Sequence, residues 1–279
     1  MPTQAQQWTR DTNWRQGHVL PPAAADRFGL SNLADRAATC VVVVTHDCDL
    51  ANENLSVEPN VEVIVGRTVP AVNGNFTWGK APRTLHYTIQ RDGGDVAVEL
   101  VATSKTFLRK CDLASFEPDP LFKMDGQSLA VLRSWLGARY NRAAFADSFV
   151  KRMGDTKADV KLAKALEAHG KSVSFTYFDV DGGECIERAE GDPYALDVIL
   201  VFNPGSDPEA AADAADSAAE AVEAALRSRL PDNGADIRLN ACFPISEDDI
   251  SVSRARLLSH WRLEYMTHRA EDEQLGPPT

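Results

Sequence analysis

The chain has 279 residues, of which 44% are hydrophobic and 25% charged, so the sequence predicts a folded globular protein and argues against disorder. The formal net charge of −12 argues against a surface coated for nucleic acid, although it permits a local basic cleft. The sequence holds no apolar run of about 18 residues and no signal-peptide core near its start, so we expect a cytoplasmic protein that does not contact a membrane.

The N-terminal part predicts one helix, one central strand and a hairpin. The helix is expected over 23–37, with an interruption at Gly29. The strand covers 38–44, where an apolar run rich in valine is too short for a helix and is therefore expected to be buried on both faces. The hairpin is expected over 84–102, about the turn Asp92-Gly93-Gly94.

The C-terminal half predicts helices and strands in alternation. Four helices are predicted. One begins at Ser128, two cover 155–169 and 209–229, and the last contains Leu257 and Trp261. The predicted strands cover 173–178, 194–202 and 237–243.

These elements favour an α/β protein with a central, largely parallel sheet flanked by helices and with a β-hairpin-rich insertion, because strands buried on both faces are typical of parallel sheets. The predicted organisation is an N-terminal α/β part with the insertion at 1–116, a helical segment at 117–154, a C-terminal α/β part packed on the same core at 155–269 and a loose tail at 270–279. A monomer is expected.

Four polar side chains follow the valine strand directly: His46, Asp47, Cys48 and Asp49. Open α/β sheets place their ligands at the carboxyl ends of strands, so this cluster is the first candidate site. Three interpretations stay open. An aspartate caps a helix while Cys48 lies in the core, or an aspartate acts with His46 in acid–base chemistry, or the cluster binds a metal with ligands from elsewhere. The five scattered cysteines form no C-x-x-C, which predicts reduced, mostly buried thiols.

An aromatic side chain flanked by amides precedes the first helix. Trp14, together with Asn13, Gln16 and His18, forms the second candidate site, because a tryptophan flanked by amides can stack on a base and read its edge. The alternative is a tryptophan that anchors the N-terminal segment to the core.

Two further features could contact phosphate. The turn Asn203-Pro204-Gly205-Ser206 follows a buried strand and precedes a helix, whose N-terminal amides either bind an anion or simply form a connection. Arg133, Arg139 and Arg142 concentrate positive charge in an acidic protein, either as a phosphate-contacting edge or as a solvated helix face.

Several segments spread over nearly the whole chain carry a family resemblance. They are Trp14-Arg15-Gln16-Gly17, the valine strand with Thr45-His46-Asp47-Cys48-Asp49-Leu50, and the segments 135–142, 145–149 and 260–265. In them the chain resembles a family of largely uncharacterised bacterial proteins associated with defence against phage. This resemblance implies a biological setting and carries little chemistry.

Two short segments are similar in layout to uracil-DNA-glycosylase-like enzymes. In those enzymes a buried strand precedes G-Q-D-P-Y, and a second strand ends in H-P-S-P. The resemblance places Asp47 as the residue that handles the attacking water and Asn203 in the position of the histidine. Thr45, Cys48 and Asp49 depart from the pattern, since they stand where those enzymes have Gly, Pro and Tyr.

The leading hypothesis is a hydrolase acting on DNA, most specifically a base-excising DNA N-glycosylase in antiphage defence, with no cofactor and with DNA, including modified phage DNA, as its partner. The proposed catalytic residues are Asp47, His46, Asp49 and Asn203, and the proposed substrate-binding residues are Asn13, Trp14, Gln16, Arg139, Arg142 and Ser206. Two alternatives stay open: a metal-dependent nuclease using Asp47, Asp49 and Glu62, and a non-catalytic binding or sensor module.

Overall fold

The computed structural model describes residues 7–138, 145–184, 186–230, 234 and 236–261. They form two compact units. Unit 1 comprises 7–72 and 83–137, and unit 2 comprises 73–82 and the described residues from 138 onward. Within this part of the chain, no helix combines the length and the apolar character needed to cross a membrane.

Unit 1 is built on a curled antiparallel sheet that forms half a barrel. Its strands are β1 (Thr39–Val43), β2 (Asn60–Val69), β3 (Thr84–Arg91), β4 (Gly94–Arg109) and β5 (Phe122–Lys123), in the spatial order β1-β2-β4-β3-β5. A bulge in β4 bends the sheet. Ile64 pairs with Lys105 and Gly66 pairs with Leu100, so β4 advances by five residues where β2 advances by two.

Short helices and the N-terminal segment complete unit 1. The helices are α1 (Pro22–Arg27), α2 (Asp47–Leu50), α3 (Lys110–Leu113) and α4 (Gly126–Ala138). Side chains of β1 alternate between two cores: Val41 and Val43 pack with Trp14, while Val42 packs with Trp135 of α4. The prediction that this valine strand is buried on both faces is confirmed.

The N-terminal segment covers the edge of β1 that β2 does not pair with. Gly17 donates its N–H to the carbonyl of Val43 at 2.8 Å, and Val43 donates to the carbonyl of His18 at 2.8 Å. Leu20 donates to the carbonyl of Val41 at 2.9 Å. These bonds satisfy main-chain groups that would otherwise be exposed at the sheet edge, and they bring residues 16–18 beside the end of β1.

Unit 2 combines a mixed sheet with helices. Its helices are α5 (Asp147–Asp155), α6 (Ala158–His169), α7 (Pro208–Arg227) and α8 (Val252–Leu257), and its strands are β6 (Phe175–Val180), β7 (Tyr194–Phe202), β8 (Ile237–Ser246) and β9 (Ser259–His260). The spatial order is β8-β7-β6-β9. Strands β7 and β8 are parallel, and the other pairs are antiparallel. Leu162 of α6 and Val222 of α7 share one core with Phe178 and Val198 of the sheet.

A buried cation ties the segment 73–82 to the rest of unit 2. The ammonium of Lys80 donates to the carbonyls of Gly170 and Val173, at 2.7 Å each, and to the hydroxyl of Thr77 at 3.0 Å. Gly170 is the C-cap of α6, where the negative end of the helix dipole favours a cation. Burial lowers the pKa of Lys80, because removing the ammonium from water is unfavourable. The three acceptors offset part of that desolvation cost.

The predicted central parallel sheet is wrong. Among the described strands only β7 and β8 pair in parallel, and the hairpin of β3 and β4 belongs to the main sheet of unit 1 rather than to an insertion. Burial on both faces of β1 has a different cause: unit 1 has a separate core on each side of that strand. The predicted helix over 23–37 ends at Arg27, because Gly29 adopts a left-handed φ of 68°.

Candidate functional site

Asp47 is the first residue of α2, immediately beyond the end of β1. His46 is the N-cap of that helix, and its Nδ1 accepts a hydrogen bond from the N–H of Cys48 at 3.3 Å. Asp47 Oδ1 accepts from the main-chain N–H of Gln16 at 2.8 Å. The carboxylate is 41% exposed, so one oxygen is fixed while the group still reaches solvent.

Gln16 connects this carboxylate to a helix that lies far away in sequence. Its side chain is buried, its Nε2 donates to the carbonyl of Val44 at 2.7 Å, and its Oε1 accepts from Arg133 Nε at 2.6 Å. Arg133 Nη2 then lies 3.9 Å from Asp47 Oδ2. We call Gln16, Asp47 and Arg133 the Asp47 cluster. Because Gln16 makes contacts through its main chain and its side chain, it fixes the positions of the other two members.

Two histidines lie beside the Asp47 cluster. His18 Nδ1 accepts from the N–H of Arg15 at 3.1 Å, as His46 Nδ1 accepts from Cys48. A neutral imidazole whose Nδ1 accepts a hydrogen bond carries its proton on Nε2. Burial lowers the pKa of His18, and Arg15 lowers it further, against the opposing effect of Asp47. In the neutral state both rings therefore present donors, and Asp47 is the member that can accept a proton.

This arrangement can support two kinds of chemistry. An oriented carboxylate with one oxygen toward solvent can take a proton from water or stabilise a developing positive charge. A guanidinium whose Nε is already bonded can use its remaining N–H groups on an anion such as phosphate. Arg133 is 45% exposed, which leaves it accessible for that contact.

The other residues proposed near the valine strand make their hydrogen bonds with residues outside the Asp47 cluster. Asp49 is exposed, and its carbonyl accepts from Lys110 Nζ at 2.5 Å. Asn13 is exposed, and its Nδ2 donates to Glu117 Oε2 at 2.9 Å. Trp14 is buried, and its Nε1 donates to the carbonyl of Phe116 at 3.1 Å. The indole thus packs into the core of unit 1, which is the anchoring alternative for this residue.

Asn203 and Ser206 belong to unit 2. Asn203 Nδ2 donates to Glu247 Oε2 at 2.8 Å, and its Oδ1 accepts from the N–H of Gly205 at 3.0 Å. Both ends of the amide are therefore used, the oxygen within the turn, as is common for asparagine, and the nitrogen on Glu247 after β8. Ser206 is exposed, just before α7. Arg139 and Arg142, the remaining proposed phosphate contacts, lie outside the described residues.

The described residues include no group of three histidine, cysteine, aspartate or glutamate side chains that could hold a metal ion. Glu62, the third carboxylate of the nuclease alternative, pairs with Lys105 Nζ at 3.5 Å. This pairing engages Glu62 in a cross-strand contact, since the two residues lie on the neighbouring strands β2 and β4.

The thiols divide into two kinds. Cys40 is buried in β1, and burial raises its pKa to about 12, so it is inert. Cys48 and Cys111 are exposed. The expectation that Cys48 lies in the core is wrong, because its position in the first turn of α2 directs it outward while Leu50 points inward.

Comparison of the chain with protein-family models, with curated proteins and with solved structures finds no match. The site must therefore be interpreted from its own residues. Sequence reasoning selected Asp47 and Gln16 separately and did not find their contact. It grouped Arg133 with Arg139 and Arg142 by charge, and no spacing signal links an arginine to a glutamine 117 residues away.

Proposed function

We propose that the protein is a hydrolase acting on DNA, most specifically a base-excising N-glycosylase in defence against phage, with Asp47 as its central group. The observation that carries the proposal is the pairing of a fixed, half-exposed carboxylate with an accessible guanidinium. Carboxylate and cation are the two groups that hydrolysis of a sugar bond within a polyanion requires.

The reaction assigns a role to each group. Water attacks C1′ of the sugar and transfers a proton to Asp47 Oδ2, while the bond from C1′ to the base breaks. The leaving base takes the bonding electron pair, a hydrogen bond from His46 Nε2–H stabilises its negative charge, and water then supplies the proton that completes the free base. Positive charge on the sugar in the transition state is stabilised by the ionised Asp47.

Arg133 supplies the contact to the DNA backbone. A protein with a net charge of −12 repels DNA in general, so productive binding depends on local cations. Arg133 contacts both Gln16 and Asp47, and the exposed Arg15 directly precedes Gln16 in the chain. We assign them to the phosphates that flank the reacting nucleotide.

A second candidate is a binding module without catalysis. It is favoured by the contact of Asp47 Oδ1 with the N–H of Gln16, because this bond gives the aspartate a structural reason to be present. In that case Arg133 would still bind an anionic ligand, and Asp47 would only position the segment that contains Gln16.

The test is release of bases by the full chain. Single-stranded and duplex DNA carrying normal or modified bases is incubated in EDTA, and abasic sites are read as alkali-labile breaks. Asp47→Asn keeps an oxygen acceptor for Gln16 and removes the charge, so it should abolish breaks without unfolding the protein. Arg133→Met should raise the DNA concentration needed for half-maximal rate. Asp112→Asn, which alters an exposed carboxylate of α3, is the matched control.

Three outcomes decide between the candidates. Loss of breaks in Asp47→Asn alone supports the glycosylase. Breaks that persist in Asp47→Asn overturn the role of Asp47. If no DNA in the panel is cleaved and Arg133→Met weakens DNA binding, the protein is a binding module.

A further inference from the structure

A cavity of about 860 Å³ lies in unit 1, at the opposite end of β1 from Asp47. It is formed by three stretches of chain: 28–35 with 38 and 39, the end of β2 with Pro70 at 65–70, and residues 104–106 of β4, at the end of the bulge. Small-molecule sites usually have volumes of about 300–1,000 Å³, so this cavity has the size of a ligand site.

The cavity is held open by the chain around it. Asn32 donates its N–H to Thr39 Oγ1 at 2.9 Å, and Ala38 donates to Asp35 Oδ1 at 3.1 Å, so the stretch after α1 has its own internal bonds. On the other side, the bulge moves residue 104 out of the regular pairing of β2 and β4. Because both walls are held by bonds within the chain, the site is preformed.

Most of the wall is apolar. Phe28, Leu30, Leu33, Val65 and Val69 contribute to it. Leu33 is 82% exposed, the highest value among the large hydrophobic residues described. An exposed leucine at the rim of a cavity would be buried by an apolar ligand, which accounts for its position.

Two cations line this wall, Arg67 and Lys105. Lys105 Nζ pairs with Glu62 Oε1 at 3.5 Å, and the orientation of Arg67 is fixed by a carboxylate. Arg67 Nε donates to Glu99 Oε1 at 2.7 Å, and the other oxygen of Glu99 lies 2.9 Å from His86 Nε2. Within the described part of the chain, Nη1 and Nη2 of Arg67 donate to no other residue. The guanidinium keeps a free fork of donors, which matches the two oxygens of a carboxylate.

We propose that this cavity binds an amphipathic monocarboxylate, with its apolar body against Leu33 and its neighbours and its carboxylate on Arg67. We expect the ligand to carry one negative charge, because Glu99 already neutralises Arg67 in part. A head group with two negative charges would be repelled by the carboxylate of Glu99. This site is independent of the Asp47 cluster and of any activity there.

The test uses the full chain and a fluorescent probe, dansyl-undecanoate, displaced by decanoate, decanol or decyl phosphate. Decanoate should displace the probe at a concentration about tenfold lower than decanol, the factor that about 1.4 kcal/mol of charge-assisted hydrogen bonding gives. Arg67→Met should remove that difference by weakening decanoate and leaving decanol unchanged.

A pair of surface variants keeps the test independent of stability. Leu33→Asp alters an exposed cavity residue and should weaken probe binding at least about tenfold. Leu121→Asp alters a leucine that is 48% exposed, lies in unit 1 and does not line the cavity, so binding should be unchanged. Absence of probe binding, equal effects of the two variants, or stronger displacement by decanol or decyl phosphate than by decanoate would each overturn the proposal.

Discussion

The two ends of β1 are built in opposite ways. Beyond its carboxyl end, the Asp47 cluster consists of polar groups that hold one another at fixed distances on a partly exposed surface. At its amino end, Thr39 lines a cavity with mostly apolar walls and one oriented cation, Arg67. One strand thus serves two sites with different requirements, since chemistry at a carboxylate needs orientation and binding of an apolar body needs volume.

The same strand supports both ends. Its five residues are paired with β2 on one edge and with the N-terminal segment on the other, and its side chains reach two cores. Changes that disturb this framework should therefore affect both ends, whereas changes at one end should leave the other intact.

The largest effect is expected at Gly66, which faces Cys40 across β1 and β2. A Cβ there would lie 2.5 Å from the carbonyl oxygen of Glu99 and 2.5 Å from Leu100 Cδ2. Gly66→Ala should lower the free energy of unfolding by about 3 kcal/mol, because main-chain atoms cannot move aside cheaply. Urea titration followed by tryptophan fluorescence measures it.

The matched control is Gly137→Ala, since a Cβ at that helical position meets nothing within 4 Å. It should be neutral or slightly stabilising. Equal effects of the two variants would contradict the claim that close approach of the strands, rather than loss of glycine, destabilises Gly66→Ala.

The next effect concerns the carboxyl end alone. Lys110 is fully buried, and its Nζ donates to the carbonyls of Asp49 at 2.5 Å and Asn52 at 2.9 Å, which end the helix that Asp47 begins. Lys110→Met should lower the free energy of unfolding by about 2 kcal/mol, because two carbonyls lose their donor. The same urea titration measures the loss.

Lys105→Met is the control for Lys110→Met. Among the described residues its ammonium pairs with Glu62 alone, at 3.5 Å, so its cost should stay below about 1 kcal/mol. Probe binding at the cavity should survive in Lys110→Met. If that variant abolished binding in a folded protein, the two ends of β1 would not be independent.

Local features of unit 1 could be predicted from the sequence, and their assembly could not. The valine run identifies β1, and Asp92 and Gly93 identify the hairpin turn, where both adopt positive φ as a tight hairpin requires. The parallel arrangement was predicted wrongly because burial on both faces does not specify strand direction. That burial arises here from the N-terminal segment and α4, whose contacts with β1 depend on side chains distant in sequence.

The candidate sites show the same division. The strand end drew attention to Asp47 through residue types alone, and its three polar neighbours, His46, Cys48 and Asp49, gave no sign that Gln16 would be the connecting residue. The cavity left no signal at all, because Arg67 and Glu99 read as ordinary strand residues until the bulge of β4 sets their pairing. Gly66, a glycine within a strand, is a local signal of a bulge, but contacts between side chains distant in sequence have no local pattern.

A smaller effect is expected at Asp47 itself, where structure and charge can be separated. Asp47→Ala removes the acceptor for the N–H of Gln16 and should cost about 1 kcal/mol. Asp47→Asn keeps an oxygen at that position and should cost less than about 0.5 kcal/mol, since the exposed pair with Arg133 contributes little.

Hydrogen exchange of the segment around Gln16 gives the direct measurement for these two variants. Protection should fall in Asp47→Ala and persist in Asp47→Asn. Unchanged protection in Asp47→Ala would mean that Asp47 does not hold the N-terminal segment, and the structural part of its role would be lost.

The smallest effect is expected at the cavity end and depends on pH. Burial raises the pKa of Glu99, but the hydrogen bond from His86 and the charge of Arg67 outweigh it, so the pKa lies below its ordinary value of 4.5. The unfolded state therefore binds the proton first as the pH falls. The stabilisation from ionised Glu99 is complete above about pH 4.5 and is lost as the pH drops through the folded pKa.

Glu99→Gln should accordingly reduce the free energy of unfolding at pH 7, and the difference from the natural chain should shrink below pH 4.5 in urea titrations made at several pH values. Glu53→Gln, which alters an exposed carboxylate of unit 1, should change stability little at either pH. A difference that grows as the solution becomes more acidic would reverse the sign of the Glu99 pKa shift. Since the carboxylate of Glu99 also fixes Arg67, that result would remove the reason for assigning an oriented cation to the cavity wall.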